Sequence, residues 1–358
     1  MEDICLFIVF IIVVTCSTVK NMRAVQLKEY GGVENMYVSD VSIPDLPSSD
    51  YILIRVAAAG VNRADTIQRK GLYMPPSGES DILGLEVSGI VEKVGENVTA
   101  FSVGDEVMAL LGGGGYAEYV VVHQCQVMNI PKGIDIVSAA SIPEVWLTAY
   151  QLINLVAKIQ PNESVLIHAA GSGVGTAAIQ LAKQIPGCFI IATAGTEEKI
   201  EKAKQLGADV VINYKTTVFS EVVKEVTNGI GVNVILDPVG GSFWHQNLAV
   251  LSVEGRWVVY GLLGGGCIEG TILSQLLMKR GSLLTSTLRT RSIEYKKFLV
   301  EGFVQSSMDK FTSHVFTPII DSVMSLDQVK EAHERMEANI NSGKILLTVS
   351  NDFPKKEL

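Results

Sequence analysis

The sequence has few of the residues that build disulfide frameworks or metal centres. It contains five cysteines and five histidines in 358 residues, and they are scattered, with no CxxC spacing. The cysteines are Cys5, Cys16, Cys125, Cys188 and Cys267, and the histidines are His123, His168, His245, His314 and His333. An odd, dispersed set of cysteines argues against a disulfide framework and favours a reducing compartment. Isolated histidines predict no metal site.

Runs of positive charge and long apolar segments are also missing. There are 29 Lys and Arg against 38 Asp and Glu, a formal net charge of −9, and no basic run, which excludes a dedicated nucleic-acid binder. The longest apolar run, residues 4–14, is 11 residues long. A bilayer span needs about 20 residues, so a multispanning membrane protein is excluded.

The two ends of the chain differ from the rest. Residues 1–21 form a hydrophobic extension in which acids precede the apolar run and Lys20 follows it, the reverse of a secretory signal. As a retained anchor, this extension would leave the following domain cytoplasmic, and membrane contact is expected only there. Translation from Met22 is the alternative. The tail, residues 351–358, ends in KKEL, a loose variant of an endoplasmic-reticulum retention signal. We expect a cytoplasmic protein, with the endoplasmic reticulum as the alternative.

The pattern of apolar segments changes near residue 143. Before it, short β-branched segments are separated by glycine and proline, which predicts an irregular β body. After it, apolar strands alternate with helical spacing, which predicts right-handed βαβ units and a doubly wound parallel sheet. The predicted parallel strands are residues 164–170, 189–194, 209–213, 232–236, 256–261 and 282–286. Two amphipathic helices (292–305 and 325–341) and a strand (344–349) close the chain.

A glycine-rich turn follows the first of these strands. It reads Gly171-Ser172-Gly173-Val174-Gly175 and opens a helix. Glycines allow close backbone approach to a pyrophosphate, and the helix N-terminus attracts that anion. The spacing is GxGxG, so a tight connection without a ligand is the alternative. Its place in a βαβ unit favours dinucleotide binding.

The end of the second strand indicates which dinucleotide. NAD-specific sites usually carry Asp or Glu there to bind the ribose 2′-hydroxyl. This chain has Gly195 there, no acid before Glu197, and then Lys199, which leaves room and a cation for a 2′-phosphate. We expect NADPH rather than NADH, unless Lys199 is merely a solvated helix residue.

Several stretches together resemble a known family. Residues 162–183 are similar to the quinone oxidoreductase and zeta-crystallin signature of the medium-chain dehydrogenases/reductases. Further similar stretches are 31–35, 60–65, 84–86, 143–150, 237–241 and 255–266. The resemblance extends from residue 22 to 349 and is strongest to the tumour-suppressor-inducible quinone oxidoreductase branch, which shares Ser172 where glycine is more usual.

The resemblance implies an α/β fold of two domains with the active site in the cleft between them. A GroES-like catalytic β domain would comprise residues 22–145 and 289–350, and an NADPH-binding Rossmann domain residues 146–288. Zinc-containing relatives have His immediately before the position of Glu86. This chain has Leu85 there and no four-cysteine loop, so we expect no metal.

Quinone reduction suits a site without zinc. Hydride addition to a quinone yields a phenolate-like anion of pKa about 10, which one or two hydrogen-bond donors can stabilise. The resemblance implies Tyr73 and Asn62 as catalytic residues, although simple loop packing is the alternative for Tyr73. Ile67 replaces a second tyrosine of zeta-crystallin-like members. Additional cofactor contacts implied by the resemblance are Thr148, Tyr214, Gly261, Leu262 and Arg289.

We therefore expect an NADPH-dependent quinone reductase acting by hydride or one-electron transfer. The alternatives are an enone or 2-enoyl double-bond reductase on the same scaffold and a non-enzymatic, crystallin-like NADPH-binding protein. The family also implies a homodimer formed through an edge strand of the Rossmann sheet, either residues 256–260 or 282–286.

Overall fold

A computed structural model describes residues 20–350 and Phe353. Residues 1–19 of the predicted extension therefore lie outside the described residues. The predicted tail, residues 351–358, also lies outside them apart from Phe353. In the described part of the chain, no helix is both long and apolar enough to cross a membrane.

The first part of the chain is rich in strands. They are β1 (Asn21–Leu27), β2 (Met36–Ser42), β3 (Tyr51–Val61), β4 (Glu86–Val94), β5 (Glu106–Leu110), β6 (Tyr119–His123) and β7 (Val127–Asn129). The helices of this part are α1 (Arg63–Arg69), α2 (Ile136–Ala139) and α3 (Pro143–Tyr150), and a π-helical turn (Gln151–Val156) follows α3. The predicted domain boundary at 145/146 falls inside α3, which is continuous there.

The middle part alternates strands and helices, as predicted. Its strands are β8 (Ser164–Ile167), β9 (Phe189–Ala194), β10 (Val210–Asn213), β11 (Val232–Asp237), β12 (Leu251–Val259) and β13 (Ser282–Thr285). Its helices are α4 (Gly173–Ala182), α5 (Glu197–Gln205), α6 (Phe219–Val226), α7 (Trp244–Val250) and α8 (Ile272–Lys279). The strands pair in parallel in the order β10-β9-β8-β11-β12-β13, which is a doubly wound sheet.

The C-terminal part returns to the first sheet. It contains α9 (Ile293–Thr312), β14 (Ile320–Ser325), α10 (Val329–Glu337) and β15 (Lys344–Thr348). Strand β15 pairs with β3, completing a sheet of order β14-β15-β3-β4-β5-β7, with β6 also on β3. This sheet is therefore built from both ends of the chain. The boundaries proposed for the two domains stay a prediction.

Two features of this part differ from the sequence prediction. Residues 325–341 do not form one helix, because Ser325 ends β14 and its backbone N–H donates to Gln328 Oε1 at 3.0 Å, capping a new helical start. Helix α9 extends to Thr312 rather than 305. Trp146 of α3 packs on Phe311 at 4.6 Å between ring centroids, which gives this extra length a buried contact.

Residues 256–260, one of the two segments predicted to supply a dimer edge, do not lie at an edge of the sheet. They belong to β12, which pairs with β11 on one side and β13 on the other, so it has no open edge. Strand β13 is the edge strand on this side of the sheet.

A buried carboxylate fixes the ends of the central parallel strands. Asp237, at the end of β11, accepts hydrogen bonds from the indole of Trp257 at 2.9 Å and the amide of Asn247 at 3.0 Å. Asn247 Oδ1 in turn bonds His168 Nε2 at 2.7 Å, and His168 Nδ1 lies 2.9 Å from Thr193 Oγ1. Burial lowers the pKa of His168, so the imidazole is neutral and links β8 to β9.

Candidate active site

The glycine-rich turn packs closely between the two sheets. Ser172 caps α4, with its Oγ accepting from the Gly175 N–H at 3.0 Å. A Cβ atom at Gly175 would lie 2.3 Å from the Ala169 carbonyl oxygen, so only glycine fits there. The first N–H groups of α4, which include Val174, lie at the positive end of the helix dipole. This arrangement fits a pyrophosphate.

The turn is also hydrogen-bonded to the other sheet. The Gly343 N–H donates to the Gly171 carbonyl oxygen at 2.8 Å. The side-chain stem of Lys344 lies against Gly173, where a Cβ atom would be 2.8 Å from Lys344 Cδ. Gly343, just before β15, and Lys344, its first residue, therefore hold the turn in place.

A tyrosine and a lysine after β10 lie beside the glycine that follows β9. The hydroxyl of Tyr214, after β10, would lie 2.9 Å from a Cβ atom at Gly195, after β9, and Lys215 Cε would lie 3.0 Å from it. Tyr214 and Lys215 are exposed. Within the described residues, the Lys215 ammonium makes no hydrogen bond or ion pair. Sequence reasoning missed Lys215, although its position directly after Tyr214 was a usable signal.

Lys199 lies near Lys215, but its ammonium already donates a hydrogen bond within the protein. Its stem covers Gly171, and its ammonium donates to the Asn339 carbonyl oxygen at 2.7 Å. Burial lowers the pKa of Lys199, with the charge of Asp321 opposing the shift. The side chain therefore bridges the predicted phosphate site and the loop after α10.

The remaining predicted nucleotide contacts follow β12. A Cβ atom at Gly261 would lie 2.9 Å from the Pro238 carbonyl oxygen, and Leu262 is exposed beside it. The Gly171 turn, Gly195, Tyr214 and Gly261 thus follow the carboxyl ends of β8, β9, β10 and β12, at one edge of the sheet. Dinucleotides bind at such an edge.

Asn62 lies in a buried ion-pair cluster. Its Nδ2 donates to Glu86 Oε1 at 2.9 Å, and its Oδ1 accepts from Lys344 Nζ at 2.7 Å. Lys344 Nζ lies 2.7 Å from Glu86 Oε1, and both side chains are almost fully buried. A second bond from Asn62 Nδ2 reaches the Gly60 carbonyl oxygen at 3.2 Å. Asn62 therefore has its amide protons and oxygen occupied by protein partners.

Tyr73 and Arg289 form a cation–π pair. The Arg289 guanidinium carbon lies 5.3 Å from the Tyr73 ring centroid, and Nη1 donates to the Tyr73 carbonyl oxygen at 3.2 Å. Arg289 Nη2 is buried and has no hydrogen-bond partner in the described part of the chain. Burial and the charge of Glu144 raise the pKa of Tyr73, so its phenol is protonated at neutral pH. An unpartnered guanidinium N–H beside a phenol fits an anionic or carbonyl oxygen.

Helix α3 carries two polar side chains toward this pair. Glu144 and Thr148 are half-buried in a helix that is otherwise mostly buried, and their spacing places them on one face. Burial raises the pKa of Glu144 to about 8, with the charge of Glu86 adding to the shift. Lys296 of α9 is almost fully buried nearby, and burial lowers its pKa. Sequence reasoning missed Glu144 and Lys296 as site residues, because only tertiary packing brings them together.

The position that holds zinc in related enzymes is apolar. Leu85 is 1% exposed, and the neighbouring Glu86 is paired with Lys344. Among residues 20–350 and Phe353, no group of three or more His, Cys, Asp or Glu side chains is arranged to hold a metal ion. The absence of a metal stays a prediction.

Known proteins are similar to this chain over most of its length. Residues 48–132 match the alcohol dehydrogenase GroES-like domain, and residues 173–303 match the zinc-binding dehydrogenase family. The quinone oxidoreductase of Homo sapiens is 32% identical over 332 residues, which is 92% of this chain and 98% of that protein. The synaptic vesicle membrane protein VAT-1 homolog of Danio rerio is 32% identical over 348 residues, 94% of this chain and 71% of that protein.

Solved structures are also similar to this chain over most of its length. The Escherichia coli quinone oxidoreductase complexed with NADPH matches with a TM-score of 0.81 and 31% identity, covering 91% of this chain and 100% of that one. The CurK enoyl reductase matches with a TM-score of 0.81 and 30% identity, covering 92% and 100%. The fold class predicted from the sequence is confirmed.

Replacing Lys344 with Met should strongly destabilise the protein. The change leaves the Glu86 carboxylate buried without its cation, which costs about 3–5 kcal/mol in comparable buried pairs. Urea denaturation would measure the loss in the free energy of unfolding. Adding Glu86→Gln to Lys344→Met should recover at least half of it.

The matched control is Lys297→Met, which removes an exposed i,i+4 pair with Glu301. It should change the free energy of unfolding by less than about 0.5 kcal/mol. A Lys344→Met protein as stable as this control would contradict a structural role for the buried pair.

Proposed function

This chain belongs to the quinone oxidoreductase family of the medium-chain dehydrogenases/reductases, and we propose that it is an NADPH-dependent quinone reductase. It is an oxidoreductase that uses a nicotinamide cofactor. The preference for NADPH and the choice of a quinone are the proposals. One observation carries the cofactor preference: Tyr214 and Lys215, after β10, lie against Gly195, and Lys199 of α5 lies against Gly171 of the glycine-rich turn.

A 2′-phosphate suits this group better than a bare ribose. Lysines and a phenol can donate to phosphate oxygens, whereas a 2′-hydroxyl is usually bound by a carboxylate. The first acids after β9 are Glu197 and Glu198, both exposed on α5. Asn213 Nδ2 lies 3.4 Å from Glu197 Oε1, so this carboxylate is turned toward β10.

A planar quinone suits the pair formed by Tyr73 and Arg289. When bound, the reduced nicotinamide would supply a hydride. Tyr73 would donate its phenolic proton in a hydrogen bond to the substrate oxygen, and Arg289 would hold the Tyr73 loop through the backbone bond at 3.2 Å. Thr148 lies one helical turn from Glu144 and would orient the substrate or nicotinamide ring. Asn62 would act by positioning Lys344 and Glu86, because its amide is already fully used.

A double-bond reductase is the second candidate. The observation that favours it is the likeness to the CurK enoyl reductase, whose TM-score of 0.81 equals that of the Escherichia coli quinone oxidoreductase. A non-enzymatic NADPH-binding protein is the third.

We also propose a homodimer formed through β13. This edge strand exposes Leu283, and the preceding helix α8 exposes Leu273, Leu277 and Met278 to 76–80%. A second copy would continue the sheet across β13 and cover these side chains. Residence in the cytoplasm stays a prediction.

Removing the proposed phosphate contacts should weaken NADPH binding selectively. Lys215→Ala and Lys199→Ala should each raise the Kd for NADPH about tenfold or more, since a charged hydrogen bond contributes about 1.5–3 kcal/mol. The Kd for NADH should change by less than about twofold. Fluorescence titration measures both, with the exposed α5 residue variant Lys204→Ala as control. Unchanged NADPH affinity in both variants would refute the phosphate assignment.

A panel of quinones, 2-enones and 2-enoyl thioesters would test the substrate class. We expect NADPH oxidation with quinones to have the highest kcat/KM, and Tyr73→Phe to lower it about tenfold without changing the Kd for NADPH. Electron spin resonance would separate one-electron from two-electron reduction. Faster turnover of 2-enoyl substrates would favour the second candidate, and tight NADPH binding without any turnover would favour the third.

Light scattering should give twice the chain mass for the wild type. Leu283→Glu should shift it to one chain mass, because a charge would be buried in the interface. Val103→Glu, at a residue 64% exposed in the other sheet's loops, should leave the dimer intact. A monomeric wild type would show that the edge of β13 is not an interface.

A further inference from the structure

Glu144 occupies the first turn of α3, where the backbone fixes its position. Its N–H donates to Glu86 Oε2 at 2.8 Å, so the start of α3 is attached to β4. Thr148 follows one turn later on the same face. The Val145 side chain packs against Gly173 of the glycine-rich turn. The residue next to Glu144 therefore contacts the glycine-rich turn, and the charge of Glu144 acts on Tyr73.

Among the described residues, the carboxyl of Glu144 has no hydrogen-bond or ion-pair partner. The side chain is mostly buried but keeps some exposure. Lys344, whose charge acts on this carboxyl, already has three partners: its Nζ lies 2.7 Å from Glu86 Oε1, from Asn62 Oδ1 and from the Val61 carbonyl oxygen. An acid with this environment is open to a ligand in the cleft.

Charged groups from every neighbouring element act on this carboxyl. Those that disfavour its ionised form are Glu86 of β4 and Asp65 of α1, and those that favour it are Lys344 of β15 and Lys296 of α9. The charge of Glu144 also acts on the pKa values of Tyr73 and Arg289. Burial exceeds each of these effects and raises the pKa of Glu144 to about 8. The group is therefore mostly a neutral acid at pH 7 and can donate a proton.

We propose that the Glu144 carboxyl is the general acid that protonates the reduced substrate. The inference rests on the proposed quinone reductase function. Reduction by hydride leaves a two-electron-reduced hydroquinone monoanion. The O–H bond of Glu144 then breaks, its proton forms the new O–H bond on the phenolate oxygen, and the resulting carboxylate is reprotonated from water. One hydride and one proton convert a quinone to a hydroquinone, so the step balances.

The proton affinities agree with this direction. A phenolate of pKa about 10 is a stronger base than the carboxylate of an acid of pKa about 8, so the proton moves to the phenolate. Tyr73 is a poorer source, because its pKa is raised and its proton is better used in a hydrogen bond. Arg289 stays charged throughout. Lys296 is the alternative proton donor, and the kinetics of Glu144→Gln distinguish the two.

Infrared spectroscopy of the protein without cofactor or substrate would detect the neutral acid directly. We expect a protonated-carboxyl band at pH 7 that disappears as the pH rises through about 8. The band should be missing in Glu144→Gln and retained in Glu144→Asp. Glu79→Gln is the matched control, since Glu79 is an exposed carboxylate whose charge also acts on Arg289 and Lys296. Loss of the band in Glu79→Gln but not Glu144→Gln would overturn the assignment.

Kinetics would then test the role of the acid. Glu144→Gln should lower kcat for quinones about a hundredfold, with the Kd for NADPH unchanged, and should abolish the fall in wild-type kcat/KM above pH 8. Glu144→Asp should keep at least a tenth of wild-type kcat. A Glu144→Gln enzyme with wild-type kcat and pH profile would overturn the inference and point to Lys296. If the wild type reduces no quinone while the infrared band is present, the proposed function fails instead.

Discussion

The buried pair of Lys344 and Glu86 is the interaction on which the cleft depends. Lys344 begins β15, Glu86 begins β4, and the pair is sealed from water, so each charge requires the other. Hydrogen bonds connect the pair to two helices, α1 and α3. Asn62 connects it to the start of α1, and the Glu144 N–H connects it to α3. The stem of Lys344 lies on Gly173, so the same side chain also holds the glycine-rich turn.

The pair also determines the charge state of its surroundings. A buried cation satisfies one carboxylate well, and here it satisfies Glu86, whose oxygens also accept from Asn62 and from a backbone N–H. Glu144 lies next to this occupied pair and receives little compensation for its own burial. Proton binding is then the least costly way to keep it in the cleft. A structural ion pair and a titrating acid thus arise from one shared lysine.

The two ends of the cleft have different chemical character. The nucleotide end follows the carboxyl ends of parallel strands and exposes Lys215 and Tyr214. The other end is drier and is bounded by Tyr73, Arg289 and Lys296.

The sequence by itself determined the doubly wound sheet, the glycine-rich turn and the strand-end residues, because these depend on local spacing. Apolar runs of strand length, helical periodicity and Ser172-Gly173 are visible without any knowledge of contacts. The edge position of β13, the break at Ser325 and the engagement of Asn62 depended on pairing partners far away in the chain. The same holds for Glu144 and Lys296. The pKa of Glu144 depends on burial and on charges from β4, β15 and α1, and that of Lys296 depends on burial and on the charges of Glu79, Glu144 and Arg289. Only the tertiary structure decided which acid kept its cation, because electrostatic energy depends on distance in space rather than on separation in sequence.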